Sequence, residues 1–245
     1  MLSKQQQKNI LSLHTKKNRQ ESGLFLVEGG KNLAELLHSD FEIEHLFCTE
    51  KWTVKNEKLL VNKTYSIETP ELIEKVSTFK ANDSGIAVVR QKKNQVISSE
   101  RKDELILVLD GINDPGNLGT IIRLADWYGI PNIVCSEDTV EFYNPKVIRA
   151  TMGSFTRVRI NYTELKTWLK NCESIIYGAF LNGENIHQMQ FIKPAVLVIG
   201  SESHGIRSEI EPYISSKITI PCFGGAESLN AGVATGIILD NLVRN

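Results

Sequence analysis

The stretch from Leu105 to Gly129, LILVLDGINDPGNLGTIIRLADWYG, constrains the fold more than any other part of the chain. Leu105 to Leu109 is an unbroken apolar run of strand length, and the Asp-Gly, Asp-Pro and Gly-Asn steps behind it are turn chemistry. From Leu118 the apolar residues Leu118, Ile121, Ile122 and Ala125 recur at helical spacing, with Asn117 as the candidate N-cap. Arg123 lies about 140° round that helix from Leu118, at roughly 100° per residue, and so falls off the apolar stripe. A buried strand therefore hands over through a tight loop to a helix with one arginine turned away from the core.

Strand, loop and helix N-terminus in that order is how α/β proteins hold a ligand at the C-terminal edge of a sheet. Two nucleotide-binding versions are excluded. A phosphate-binding P-loop needs Lys and Ser or Thr after its last glycine, whereas Gly116 is followed by Asn117 and Leu118. The dinucleotide fingerprint needs three glycines at fixed offsets, and Gly116 with Gly119 supplies a fragment, which disfavours an oxidoreductase.

The rest of the chain repeats the alternation. A helix is predicted over residues 3–20, then strands at Leu24–Val27, Ile43–Cys48 and Ile86–Arg90, with helices after Gly30 and from Pro70 to Val76. Beyond Gly129, strands are predicted at Asn132–Cys135, Arg157–Ile160, Ile175–Phe180, Ala195–Ile199 and Lys217–Ile220, and the last helix at Leu229–Val243. Such alternation implies an α/β fold with a parallel sheet covered on both faces. Gln91–Glu104, QKKNQVISSERKDE, is charged and poor in large apolar residues, so the expected division is a first domain over 1–96, a linker over 97–104 and a second domain over 105–245.

With 41% hydrophobic and 23% charged residues, disordered and fibrous classes drop out. No apolar run is long enough to span a bilayer and MLSKQQQKNI lacks a signal-peptide core, so no membrane partner and a cytoplasmic location are expected. Cys48, Cys135, Cys172 and Cys222 are scattered without a C-x-x-C pair, the pattern of reduced buried thiols rather than of a disulfide or metal site. The formal net charge of −1 hides a local excess: residues 1–20 carry Lys4, Lys8, Lys16, Lys17 and Arg19 and no acid. That cluster is a candidate RNA contact, with a solvated terminal helix as the alternative.

Three loops, 110–117, 200–205 and 221–228, each follow an apolar strand and in a parallel sheet would emerge at one edge. The glycines at 200, 205, 224 and 225 recur in two of them, as turns or as places where backbone approaches a ligand.

These stretches carry a resemblance. NDPGNLGTIIR at 113–123, LVIGSESHGI at 197–206 and IPCFGGAESLNAGVATGIIL at 220–239 resemble, in order, the three signatures of the SpoU (TrmH-type) RNA 2'-O-ribose methyltransferases of the SPOUT superfamily. More loosely, FLVEGGKNLAELL at 25–37 resembles the small L30e-like RNA-binding domain that precedes the catalytic domain in many members. The resemblance implies a second domain tied in a deep trefoil knot, S-adenosylmethionine as cofactor, and a homodimer with the small residues of the last helix near its interface; the scattered cysteines imply no metal.

By the same resemblance Arg123 holds the central catalytic role, and Asn117, Glu202, Ser228 and Asn230 match the other polar site positions. Gly200, Ile220 and Leu229 match the positions that grip the adenosyl group; by spacing alone they read as a turn, a strand-core and a helix-core residue. Asn117 and Ser228 also read as helix caps, Glu202 as a loop acid and Asn230 as a first-turn residue. A guanidinium is almost never deprotonated, so Arg123 suits a phosphate and oxyanion anchor unless a substrate phosphate assists proton removal. The implied reaction is methylation of an RNA ribose 2'-hydroxyl, on 23S rRNA rather than tRNA because L30e-like front domains accompany rRNA-modifying members. A tRNA 2'-O-methyltransferase, and a catalytically silent knotted RNA-binding or ribosome assembly factor, are the alternatives.

Overall fold

The structure, a computed structural model, describes residues 2–94, 96–99 and 105–244. The chain divides into two compact units, one of residues Met1–Lys93 with Glu141–Thr156 and one of Asn94–Val140 with Arg157–Asn245.

The first unit begins with α1 (Lys4–Ser12) and α2 (Lys16–Ser22), followed by β1 (Leu24–Glu28), α3 (Gly30–Leu37), β2 (Ile43–Thr49), α4 (Glu50–Lys55), β3 (Ser66–Glu68), α5 (Pro70–Val76) and β4 (Gly85–Arg90). The single helix predicted over 3–20 is therefore two. Ser3 and Gln6 form a capping box that starts α1, and Thr15, in extended conformation, precedes α2. Gly23, at φ 66°, ends α2 in the left-handed conformation that glycine tolerates. The strands form one sheet in the order β1-β4-β2-β3, antiparallel except for β2 with β3. Ile10 and Leu13 bury against Leu26, Phe47, Ile86 and Val88 on one face of it.

In the second unit β5 (Ile106–Asp110), α6 (Pro115–Trp127) and β6 (Asn132–Cys135) come first. The chain then makes α7 (Pro145–Thr151), which groups with the first unit. Phe155 meets Phe25 edge-on at 6.3 Å between ring centres, and Gly153, at φ 103°, lies so near Glu35 that a Cβ there would sit 2.3 Å from its Cγ. Arg19, 2% exposed, donates through Nε to Glu141 at 3.1 Å and through Nη1 to the Leu13 carbonyl at 2.8 Å, and its Nη2 lies 2.5 Å from the second Glu141 oxygen. Arg19 thus drops out of the candidate RNA-contacting set, because its guanidinium is buried and already committed. Lys4, Lys8, Lys16 and Lys17 are exposed.

The second unit continues with β7 (Arg159–Tyr162), α8 (Leu165–Lys170), β8 (Ile175–Asn185), β9 (Ala195–Gly200), β10 (Ser216–Thr219) and α9 (Ala231–Arg244). Six parallel strands lie in the order β10-β8-β9-β5-β6-β7. Every residue of β5 is buried, as expected of a strand covered on both faces. Strand order reverses at β5: β6 and β7 extend to one side of it, and β9, β8 and β10 to the other. A reversal of this kind opens a crevice at the C-terminal ends of the two central strands.

Part of the predicted linker belongs to this unit. Ile97 is 4% exposed in the same apolar cluster as Trp168, whose Nε1 donates to the Ile97 carbonyl at 2.7 Å, and Asn94 bonds Asn161 and the Tyr162 backbone. Ile97 thus finds a buried place, whereas Ser98 beside it is exposed. Residues 100–104 of the expected linker lie outside the described residues.

Among the described residues no helix is long and apolar enough to cross a membrane, and no group of three or more His, Cys, Asp or Glu is placed to hold a metal ion. The four cysteines are unpaired; Cys48 and Cys135 are buried, Cys172 is half-buried and Cys222 is exposed, so burial does not extend to the last.

Candidate active site

β5 and β9 are neighbours whose Cα partners run from Ile106 opposite Val196 to Asp110 opposite Gly200, so both strands deliver their loops at one level. After β5 the chain turns through Gly111 and enters α6, with Pro115 at the first helical position. The cap is Asp114 rather than Asn117: its Oδ1 accepts the Asn117 backbone N–H at 2.8 Å. Asn117 stands in the first turn instead, and its buried side chain is free to point elsewhere.

It points at residues from the two other signature segments. Asn117 Nδ2 donates to Glu202 Oε1, and Asn117 Oδ1 accepts from Asn230 Nδ2 at 2.7 Å. Asn230 Nδ2 also lies 3.4 Å from Glu202 Oε1. Asn230 Oδ1 accepts from the backbone N–H groups of Gly232 at 3.0 Å and Val233 at 3.2 Å. Asn230 therefore caps α9 with its oxygen and faces the cluster with its nitrogen, and the cap predicted at Ser228 falls to it. Ser228 is exposed and joins no hydrogen bond of the cluster among the described residues.

Arg123 is exposed on α6, with no hydrogen-bond or ion-pair partner among the described residues. Trp127, one turn on, is 80% exposed. Beside that face α6 meets α9 closely: a Cβ on Gly232 would lie 2.9 Å from Thr120 Cγ2, and one on Gly236 would lie 3.4 Å from Leu124. These two small residues let the helices approach, and Tyr128 donates across them to Asp240 at 3.3 Å.

Of the three positions matched to adenosyl contacts, Gly200 and Ile220 are half-buried, while Leu229 precedes α9 and is 45% exposed. Leu229 is thus no helix-core residue. Among the described residues the 221–229 segment makes no backbone–backbone hydrogen bond, its Gly224 and Ala226 carbonyls accepting from Cys222 Sγ at 3.4 and 3.7 Å, and it leaves Phe223 95% exposed. A run of backbone N–H groups with no partner among the described residues, flanked by exposed apolar side chains, suits a flat base with a polar edge, so these residues fit an adenosyl group.

Two site residues escape the signature reading. Asp110, fully buried at the end of β5, accepts from the Arg207 backbone N–H at 2.8 Å and from its Nε at 2.6 Å. The Asp110 hydrogen bond shifts the Arg207 pKa upward. A lone aspartate ending an apolar strand was the available signal.

Residues 104–240, more than half of the chain, match the SpoU rRNA Methylase family, and residues 4–87 match the MRM3-like substrate binding domain. The chain belongs to the SpoU methylase family. Among similar SpoU-type proteins, the 23S rRNA (guanosine(2553)-2'-O)-methyltransferase RlmP of Bacillus subtilis is 26% identical over 242 residues, covering 97% of this chain and 96% of the relative. A TrmH-family protein from Porphyromonas gingivalis is 31% identical, covers 100% of this chain and 99% of its own, and superposes with a TM-score of 0.84. An AdoMet-bound rRNA methyltransferase from Sinorhizobium meliloti is 26% identical with a TM-score of 0.85, covering 100% and 97%.

Proposed function

We propose that this SpoU-family protein transfers a methyl group from S-adenosylmethionine to a ribose 2'-hydroxyl of ribosomal RNA, with 23S rRNA as the substrate. The observation that carries this reading is the cluster of Asn117, Glu202 and Asn230, three signature residues joined by hydrogen bonds across 85 and 113 residues of sequence. A silent RNA-binding factor gives no reason for such a network to stand at the ligand edge of the sheet.

S-adenosylmethionine, when bound, supplies a methyl group on an electron-poor sulfonium. Gly200, Ile220 and Leu229 hold its adenosyl portion, with the backbone N–H groups of 221–229 meeting the base. Asn117, Glu202 and Asn230 fix the shape of the pocket floor and present polar groups to the reacting hydroxyl, and Ser228 adds a hydroxyl from the third loop. Orientation of the 2'-oxygen in line with the methyl group is the main demand of the reaction, because a neutral alcohol is a weak nucleophile. Arg123, without a partner among the described residues, anchors the adjoining phosphate and the developing oxyanion; its planar fork suits a phosphate. The proton leaves to that phosphate or to water.

Residues 1–96 serve RNA recognition, with Lys4, Lys8, Lys16 and Lys17 meeting phosphates, and the second domain carries the chemistry and the trefoil knot. Exposed Trp127 on α6 and Val233 on α9 support a homodimer through these helices, acting in the cytoplasm. The test is incubation with tritiated S-adenosylmethionine and separate 23S, 16S and tRNA substrates, with sedimentation for the dimer. Label on 23S rRNA is expected; label on tRNA alone would reassign the substrate, and binding without label would leave an RNA-binding factor.

A further inference from the structure

The loop that carries Glu202 is held at its far end by an ion pair whose carboxylate is buried and whose guanidinium is partly exposed. Asp110 lies opposite Gly200 across β5 and β9, and its carboxylate takes the Arg207 backbone N–H, Nε and Nη2. On its other side Arg207 Nη1 stands 3.5 Å from Asp138, in the loop after β6. One guanidinium thus fastens the exit of the 200–207 loop to the ends of two other strands.

Between those ends the loop folds back on itself. Ser201 and Gly205 exchange backbone hydrogen bonds of 3.1 and 2.9 Å, and a Cβ on Gly200 would fall 2.0 Å from the Gly205 carbonyl carbon. Glu202 sits inside this closed turn, so its aim at Asn117 and Asn230 depends on where the two ends are held. β9 fixes one end, and the Asp110–Arg207 pair fixes the other.

We infer that Asp110 and Arg207 are positioning residues for methyl transfer, acting through the 200–207 turn to set Glu202 against Asn117 and Asn230. The inference rests on the methyltransferase reading above. Neither side chain needs to touch substrate: Asp110 is fully buried, and the Arg207 guanidinium is occupied by Asp110, Asp138 and, at 4.0 Å, Glu209. Lysine at 207 would keep the charge and the backbone N–H bond but could not reproduce the planar fork that reaches both carboxylates.

The test uses the full-length protein with Arg207→Lys, read by amide hydrogen exchange over residues 201–206 and by steady-state kinetics. Exchange there should rise roughly tenfold with the rest of the chain unchanged, since only the local closure is loosened. The kcat should fall about tenfold to a hundredfold while KM for RNA stays within about threefold, the signature of lost orientation rather than lost binding. In a Glu202→Gln background, Arg207→Lys should add less than about twofold, because its effect runs through Glu202. Unchanged exchange, or losses that multiply fully in the double variant, would overturn the inference. Wild-type protein that transfers no methyl would sink the methyltransferase reading instead, while the exchange data would still decide whether the pair holds the turn. Should Arg207→Lys fail to fold, Asp138→Asn loosens the same guanidinium from the exposed side and should raise exchange about twofold; no rise would count against the inference equally.

Discussion

Asn230 donates to Asn117 at 2.7 Å while its own side-chain oxygen caps α9, so one amide serves both the helix and the polar cluster. The two duties separate by substitution. Asn230→Asp keeps an acceptor for the cap but places a second carboxylate beside Glu202 and removes the donor to Asn117. Thermal stability should stay near that of the wild type while methyl transfer falls at least about a hundredfold, whereas Asn230→Ala should also lose about 1 kcal/mol of stability with its cap. Denaturation midpoints and single-turnover rates measured on both variants check this; equal activity of Asn230→Asp and wild type would remove the cluster from the reaction.

Arg123 has no partner among the described residues, so its removal isolates function. Arg123→Ala should leave stability within about 0.5 kcal/mol, as for a surface position, and S-adenosylhomocysteine affinity within about threefold, yet abolish transfer. Arg123→Lys should not restore it, because a point charge does not replace the fork. Calorimetry and transfer assays on the two variants decide; near-normal turnover would make Arg123 an ordinary surface residue.

How much of this was legible in the sequence depended on whether the signal was local. The β5 to α6 passage announced itself through apolar periodicity and turn residues, and the parallel sheet followed from alternation. The cap of α6 was misplaced by three residues, although Pro115 at the first helical position marks Asp114 as its cap. Arg19 read as one of five surface cations because its partner, Glu141, lies 122 residues away. Ile97 fell inside the charged segment taken for a linker because its partner Trp168 is 71 residues distant. Pairings of that range leave no periodic trace along the chain.

The Arg19–Glu141 pair gives a stability prediction. Arg19→Ala leaves the Glu141 carboxylate and the Leu13 carbonyl without their buried partner, and should destabilise the protein by about 3–5 kcal/mol. Replacing Lys4, Lys8, Lys16 and Lys17 by Gln should cost little stability but make the slope of log K against log salt for RNA shallower by roughly 2, at about 0.7 per contact if three of them touch phosphates. Urea titration and salt-dependent RNA binding give the two numbers. An unchanged slope would make the lysines a solvated face.

Alkaline conditions should weaken the first unit, and also the second, where burial raises the Cys135 thiol pKa. Burial pushes the Cys48 thiol from its ordinary 9.0 to about 12, and burial likewise pushes the Tyr143 phenol from 10.0 to about 12. Both groups ionise more readily in the unfolded chain, so their contribution is fully present below about pH 9 and is lost as pH rises towards about 12. Melting temperature should fall across that window, less so in Cys48→Val, with tyrosinate absorbance lagging until unfolding. A flat profile up to pH 12 would contradict the burial of both groups.

The most direct measurement of the central claim is the chemical position of the transferred methyl group. Methylation of a ribose 2'-hydroxyl removes the neighbouring nucleophile that alkali uses to cleave the RNA backbone, so labelled RNA should resist hydrolysis at one bond. After reaction of 23S rRNA with labelled S-adenosylmethionine, complete alkaline hydrolysis should leave the label in a single alkali-resistant dinucleotide, and nuclease digestion with mass spectrometry should yield a 2'-O-methylnucleoside. Label recovered on a base, in alkali-sensitive mononucleotides, or nowhere in the RNA would contradict the account.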